Sequence, residues 1–156
     1  MTPTENTGTA ERDATKIVVT RALSASPAEV FDAWLESSSI GEWMCPGQIK
    51  RTSAQVDARV GGAFRIEMEE PDGTVYVHEG EYLELRRPER LAFTWISEAT
   101  GNARSVVTID LTGNGDKTEI VLVHEKLPDS QAAQMHEQGW IQILDRLERH
   151  FGTAPQ

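Results

Sequence analysis

The side chains with most scope for chemistry in this 156-residue chain are its four histidines. Three of them, His78, His124 and His136, are each followed by a glutamate, a pairing that invites a metal-site or acid/base-dyad reading. Elementary geometry removes it. His78 and His124 lie in strand-like runs, where neighbouring side chains point to opposite faces, so His78–Glu79 and His124–Glu125 cannot share a site. His136 and Glu137 belong to a helix and diverge by about 100°. No HExxH or CxxC spacing occurs, so neither a metal nor a cofactor is expected. Cys45 follows a short helical stretch and precedes Pro46. With no histidine or helix N-terminus to lower its pKa, it reads as an incidental thiol and not a nucleophile. Glu67, Glu69 and Glu70 form a charge run on the polar side of a strand.

His136 is different because of where its element puts it. In a helix expected over residues 129–151, Ala132, His136, Trp140, Ile143 and Leu147 fall on one stripe, with charged and amide side chains mostly off it. Two readings stay open for the histidine: a polar anchor or general acid/base within an apolar pocket, or a core histidine satisfied by a backbone carbonyl. Gly139, beside Trp140, costs about 1 kcal/mol relative to alanine in mid-helix. Either a strand residue packs closely against it or space is being left for a ligand.

The elements before that helix must supply the surface it covers. Residues 16–23 are β-branched and read as a strand. Ser26-Pro27-Ala28-Glu29 starts a helix with a capping residue, a proline at the first position and a glutamate completing a capping box. Val30, Phe31, Trp34 and Leu35 form its apolar face. Ser37-Ser38-Ser39 should weaken that helix, with a second short one over 40–44, ended by Cys45-Pro46-Gly47. Six strand candidates follow. Residues 49–57 are the most polar; Phe64, Ile66 and Met68 alternate with charged residues; 75–85 contains Gly80, which marks a bulge or a close approach. Leu91, Phe93 and Trp95 form the next inward set, and two strands joined at Gly113-Asn114-Gly115-Asp116 complete the run. Strand, two helices, six strands and a long helix describe an α+β domain with a curved antiparallel sheet of six to seven strands and the last helix over its concave face.

Composition bounds the function. A hydrophobic share of 38% and a charged share of 26% are those of a soluble globular domain, assigned to residues 16–151. Residues 1–15 read as a disordered tail without a signal sequence. Fifteen basic against twenty-five acidic residues give a net charge of −10, which argues against nucleic acid. No run approaches the ~20 apolar residues of a membrane span. One cysteine allows no internal disulfide and fits the cytoplasm.

The strings Ser26-Pro27-Ala28-Glu29-Val30-Phe31 with Trp34, Trp43-Met44-Cys45-Pro46, Gly61-Gly62-Ala63-Phe64, Gly80-Glu81-Tyr82-Leu83-Glu84, Pro88 to Trp95, and His136-Glu137-Gln138-Gly139-Trp140 with Leu144 and Leu147 occur in the order seen in one superfamily. The chain resembles the START/SRPBCC helix-grip proteins, and within them the bacterial branch related to the heat-shock-protein-90 ATPase activator. The resemblance implies a helix-grip fold enclosing a hydrophobic cavity. Its members include lipid and polyketide binders, cyclases, hydrolase-like enzymes and co-chaperones, so it supplies a container and no reaction.

The leading expectation is therefore a binder of a small hydrophobic or aromatic molecule, without an evident catalytic motif. Trp43, Phe64, Ile66, Met68, Tyr82, Phe93, Trp95, His136, Trp140, Ile143 and Leu147 are the expected lining, with His136 or Tyr82 orienting the ligand. The rivals are a cyclase- or hydrolase-like enzyme with His136 as acid/base, and a co-chaperone-like module contacting a chaperone.

Overall fold

The computed structural model describes residues 15–152. Among them are seven strands and three α-helices: β1 (Ile17–Leu23), α1 (Pro27–Ala33), α2 (Ser37–Trp43), β2 (Arg51–Val56), β3 (Ala63–Glu69), β4 (Val75–Arg86), β5 (Arg90–Ser97), β6 (Ser105–Asn114), β7 (Lys117–Glu125) and α3 (Ser130–Gly152). The strands make one antiparallel sheet in the order β1-β7-β6-β5-β4-β3-β2. From β2 to β7 the chain is a meander, and β1 is added beside β7. The sheet curls into a half-barrel gripping α3, which is the α+β helix-grip fold.

Local chemistry explains each part. In β3, Phe64, Ile66 and Met68 are buried while Arg65, Glu67 and Glu69 lie half-exposed on the other face, the alternation of a strand with one wet side. At the start of α1 the Ser26 hydroxyl accepts from the Glu29 N–H at 3.2 Å and the Glu29 carboxylate accepts from the Ser26 N–H at 2.9 Å, completing the expected capping box. Asp129 caps α3 by accepting from the Ala132 N–H at 2.8 Å, so the expected first helical residue is the capping residue. The Arg21–Asp145 pair, at 2.7 Å, joins β1 to α3; partly exposed, it contributes under about 1 kcal/mol.

Three local expectations change. The polar segment at 49–57 is a strand only over Arg51–Val56. The serine run does not weaken α1; it opens α2, where the Ser39 hydroxyl accepts from the Trp43 indole N–H at 3.1 Å. Gly80 is a close approach and not the bulge: a Cβ there would lie 2.0 Å from the Thr94 carbonyl oxygen and 2.5 Å from the Phe64 ring, while the register shift falls between Tyr82 and Glu84. The expected tail lies outside the described residues apart from Thr15, whose carbonyl accepts from the Leu127 N–H. No helix among the described residues is long and apolar enough to cross a membrane.

Candidate functional site

Between sheet and helices lies a continuous file of aromatic rings, and it changes character along its length. At the end beneath α1 and α2 it is filled. Trp34 packs edge-on against Trp43 with centroids 4.7 Å apart, and Phe64 meets Tyr82 and Phe93 at 5.4 Å each. Only about 10 Å³ remains free among Trp34, Ile40, Met44, Phe64, Ile66, Tyr82, Phe93 and Trp95. Burial in this apolar setting pushes the Tyr82 phenol up from its ordinary pKa.

Past Trp95 the file opens. A cavity of about 150 Å³ is bordered by Pro46, Met68, His78, Trp95, Ala99, Met135, His136, Gly139, Trp140 and Ile143. Its sheet wall comes from β3, β4 and β5, its helix wall from α3. The Pro46 side is held by the loop after α2, where the Gln142 amide oxygen accepts from the Gly47 N–H and Arg146 donates to the Gly47 carbonyl. The cavity adjoins an outer groove of about 660 Å³ that shares Met68, His78, Met135 and Gly139 and adds Tyr76, Gln134, Gln138 and Gln142. Gly139 borders both spaces, and a Cβ built on it meets nothing within 4 Å. Of the two explanations for that glycine, the close-packing one is therefore removed.

Three histidines from different elements gather at this end. His124, fully buried on β7, accepts at Nδ1 from the Trp140 indole N–H at 2.9 Å. An indole nitrogen only donates, so the proton of neutral His124 sits on Nε2. It donates to the Ser105 hydroxyl at 2.7 Å, which in turn donates to the Trp95 carbonyl at 2.6 Å. Burial, with a smaller contribution from His136, pushes His124 down to about 3. His136 donates from Nδ1 to the Ala132 carbonyl at 2.8 Å and meets His124 edge-on at 4.9 Å. Burial lowers its pKa while the Ala132 carbonyl acts in the opposite direction. His78 stacks on Trp95 at 4.9 Å; neither of its ring nitrogens, nor the Trp95 Nε1, has a hydrogen-bond partner. Burial and then His136 push His78 down to about 4. All three rings are neutral at neutral pH.

The Ser105–His124 distance is that of a nucleophile and its base, but the protons run the wrong way. The serine proton is engaged by a carbonyl, the histidine donates to the serine, and both residues have no exposed surface. Among the described residues no three His, Cys, Asp or Glu side chains are placed to hold a metal ion. Cys45 is half-buried, with its thiol 3.4 Å from the Thr52 hydroxyl and no histidine partner.

Of the residues expected from sequence, Met68, Trp95, His136, Trp140 and Ile143 border the cavity. Phe64, Ile66, Tyr82 and Phe93 surround the filled end instead. Trp43 and Leu147 are wholly buried in the core and border neither space. Pro46, His78, Ala99 and Met135 were not expected there. His78 had a readable signal: it lies two residues from Gly80 and four from Tyr82 and therefore shares their face, and its register partner is Ile66.

Comparison with known proteins places the architecture. The family model described as activator of Hsp90 ATPase homolog 1-like protein matches residues 24–152. No curated protein matches the chain. Among solved structures, a protein from Chromobacterium violaceum is 28% identical, with a TM-score of 0.79 over 91% of this chain and 99% of the other. A protein from Mesorhizobium loti is 24% identical with a TM-score of 0.71, covering 90% and 99% of the two chains. An HSP90 activator from Plasmodium falciparum shares the fold at 20% identity and a TM-score of 0.71, covering 88% and 96%.

Proposed function

Since this chain belongs to the family of activator of Hsp90 ATPase homolog 1-like proteins, which commonly bind ligands or Hsp90, we propose that it binds a small hydrophobic or aromatic molecule between α3 and the sheet. The observation that carries this reading is the cavity itself: about 150 Å³ walled by aromatic, thioether and aliphatic side chains, beside a helix glycine with empty space over it. That volume matches a single aromatic ring, since apolar cavities of about this size stay dry and take up benzene. Burial of the ligand's apolar surface supplies roughly 25 cal/mol per Å² before the cost of association is deducted. The protein works in the cytoplasm, in keeping with its lone thiol.

The test is to titrate the protein with a set of small hydrophobic molecules and map the NMR shifts. Shifts concentrated at Trp95, Met135, Gly139 and Trp140 are the expected result. Shifts spread over the outer sheet face, where Arg65 pairs with Glu67 and Glu79, overturn the reading. A chaperone contact is the second reading. In its favour Tyr76 and Met135, exposed to 37% and 54%, border one groove. Loss of chaperone capture on Met135→Glu is its expected signature, and unchanged capture by that variant removes it.

A further inference from the structure

On the basis of the binding reading above, we infer that the cavity selects a neutral, single-ring aromatic molecule carrying a hydrogen-bond donor on the ring, a phenol being the simplest, with its donor directed at Nε2 of His136. Three features lead there. The first is shape: two tryptophans, a stacked histidine and two methionine thioethers surround a volume of one ring. Flat aromatic partners gain from offset, edge-to-face and sulfur contacts with such walls.

The second is the hydrogen-bonding sense of His136, the cavity histidine whose ring nitrogens are not both shut in. Because Nδ1 of His136 donates to the Ala132 carbonyl, the neutral ring carries its lone pair on Nε2, at the end of the imidazole farther from the helix backbone. His136 keeps 9% of its surface open and borders the cavity. The other polar groups there offer nothing comparable: both His124 nitrogens are engaged, and those of His78 and the Trp95 indole are buried atoms with no hydrogen-bond partner. The cavity therefore presents an acceptor, and its complement is a donor.

The third is charge. Among the described residues no lysine or arginine borders the cavity, and burial keeps the three histidines neutral. A carboxylate entering would lose its hydration without gaining a counter-ion, a cost that a neutral hydroxyl avoids.

The experiment compares four probes on the full chain at neutral pH by tryptophan fluorescence and calorimetry: toluene, anisole, phenol and benzoate. Phenol is expected to bind about tenfold more tightly than toluene or anisole, the value of one neutral hydrogen bond, and benzoate more weakly than toluene. His136→Phe is expected to erase the advantage of phenol over anisole, read as the ratio of the two affinities within that variant. Equal binding of phenol and anisole, or tightest binding of benzoate, overturns this inference while toluene binding leaves the cavity reading standing. An undiminished phenol advantage in His136→Phe overturns the assignment to Nε2. Binding of none of the four overturns both readings. Should His136→Phe fail to fold, the phenol–anisole pair in the unaltered chain decides alone.

Discussion

The two ends of the aromatic file under α3 are built from the same kinds of side chain and meet at Trp95, which borders both. Yet one holds about 10 Å³ of free space and the other about 150 Å³. The difference lies in what covers them. At the filled end α1 and α2 deliver Trp34, Ile40 and Met44 onto the sheet. At the hollow end α3 presents Gly139, and no side chain enters. The hollow end also gathers His78, His124 and His136, all with pKa values lowered by burial of the ring, in keeping with the clustering of perturbed titratable groups at sites that handle ligands. A core needs only volume and apolarity, whereas a site keeps room and fixed polar atoms at a cost to stability.

Truncations at either end provide the strongest test of that contrast. Phe93→Ala removes a ring enclosed by Phe64, Tyr82 and Trp95, and should cost about 3–5 kcal/mol in urea unfolding. Ile143→Ala at the hollow end should cost about 2 kcal/mol, the low end of the range, because one side of Ile143 already lacks contacts to lose. Equal losses would show that the cavity closes in solution.

Acid should also separate the two ends. The folded protein holds His78 at about 4 and His124 at about 3, below the ordinary 6.5 of an unfolded histidine. Below 6.5 the unfolded chain takes up protons that the folded one refuses, so stability is full above that pH and falls as the pH drops toward those values. Each such histidine contributes a slope of about 1.4 kcal/mol per pH unit in that window. His124→Gln should flatten the slope of the urea midpoint against pH by one histidine's share. The glutamine amide has both an acceptor for Trp140 and a donor for Ser105, so the fold should persist. Phe93→Ala should shift the whole curve and leave its slope alone.

The frame was legible in the sequence because period and turn chemistry are local. The alternation of Phe64, Ile66 and Met68, the Ser26 capping box and the stripe through His136, Trp140, Ile143 and Leu147 each act within a few residues. The division of the file into filled and hollow ends was not legible. It depends on how far Trp34 reaches across the sheet to within 6.1 Å of Trp140, and on Pro46, Ala99 and Met135 converging from three separate segments. Those are tertiary distances that no spacing encodes. His78 falls between the two cases. Its face follows from Gly80 and Tyr82, but its closed-off nitrogens follow only from its stacking on Trp95.

Two glycine substitutions offer the finest test, since the comparison assigns them opposite signs. Gly80 lies at the filled end, where a methyl group would collide with the Thr94 carbonyl and the Phe64 ring. Gly80→Ala must displace backbone and should lower the unfolding temperature. Gly139 lies in a helix with open space beyond it, so Gly139→Ala trades an unfavourable helix residue for the best one and should raise stability by about 0.5–1 kcal/mol. The added methyl group points into the space shared by cavity and groove, so the same variant should bind toluene more weakly. Thermal unfolding and a toluene titration of the one variant read both effects. Greater stability with unchanged affinity would mean that Gly139 does not border the occupied space. Lower stability would mean that α3 sits closer to the sheet than the open cavity allows.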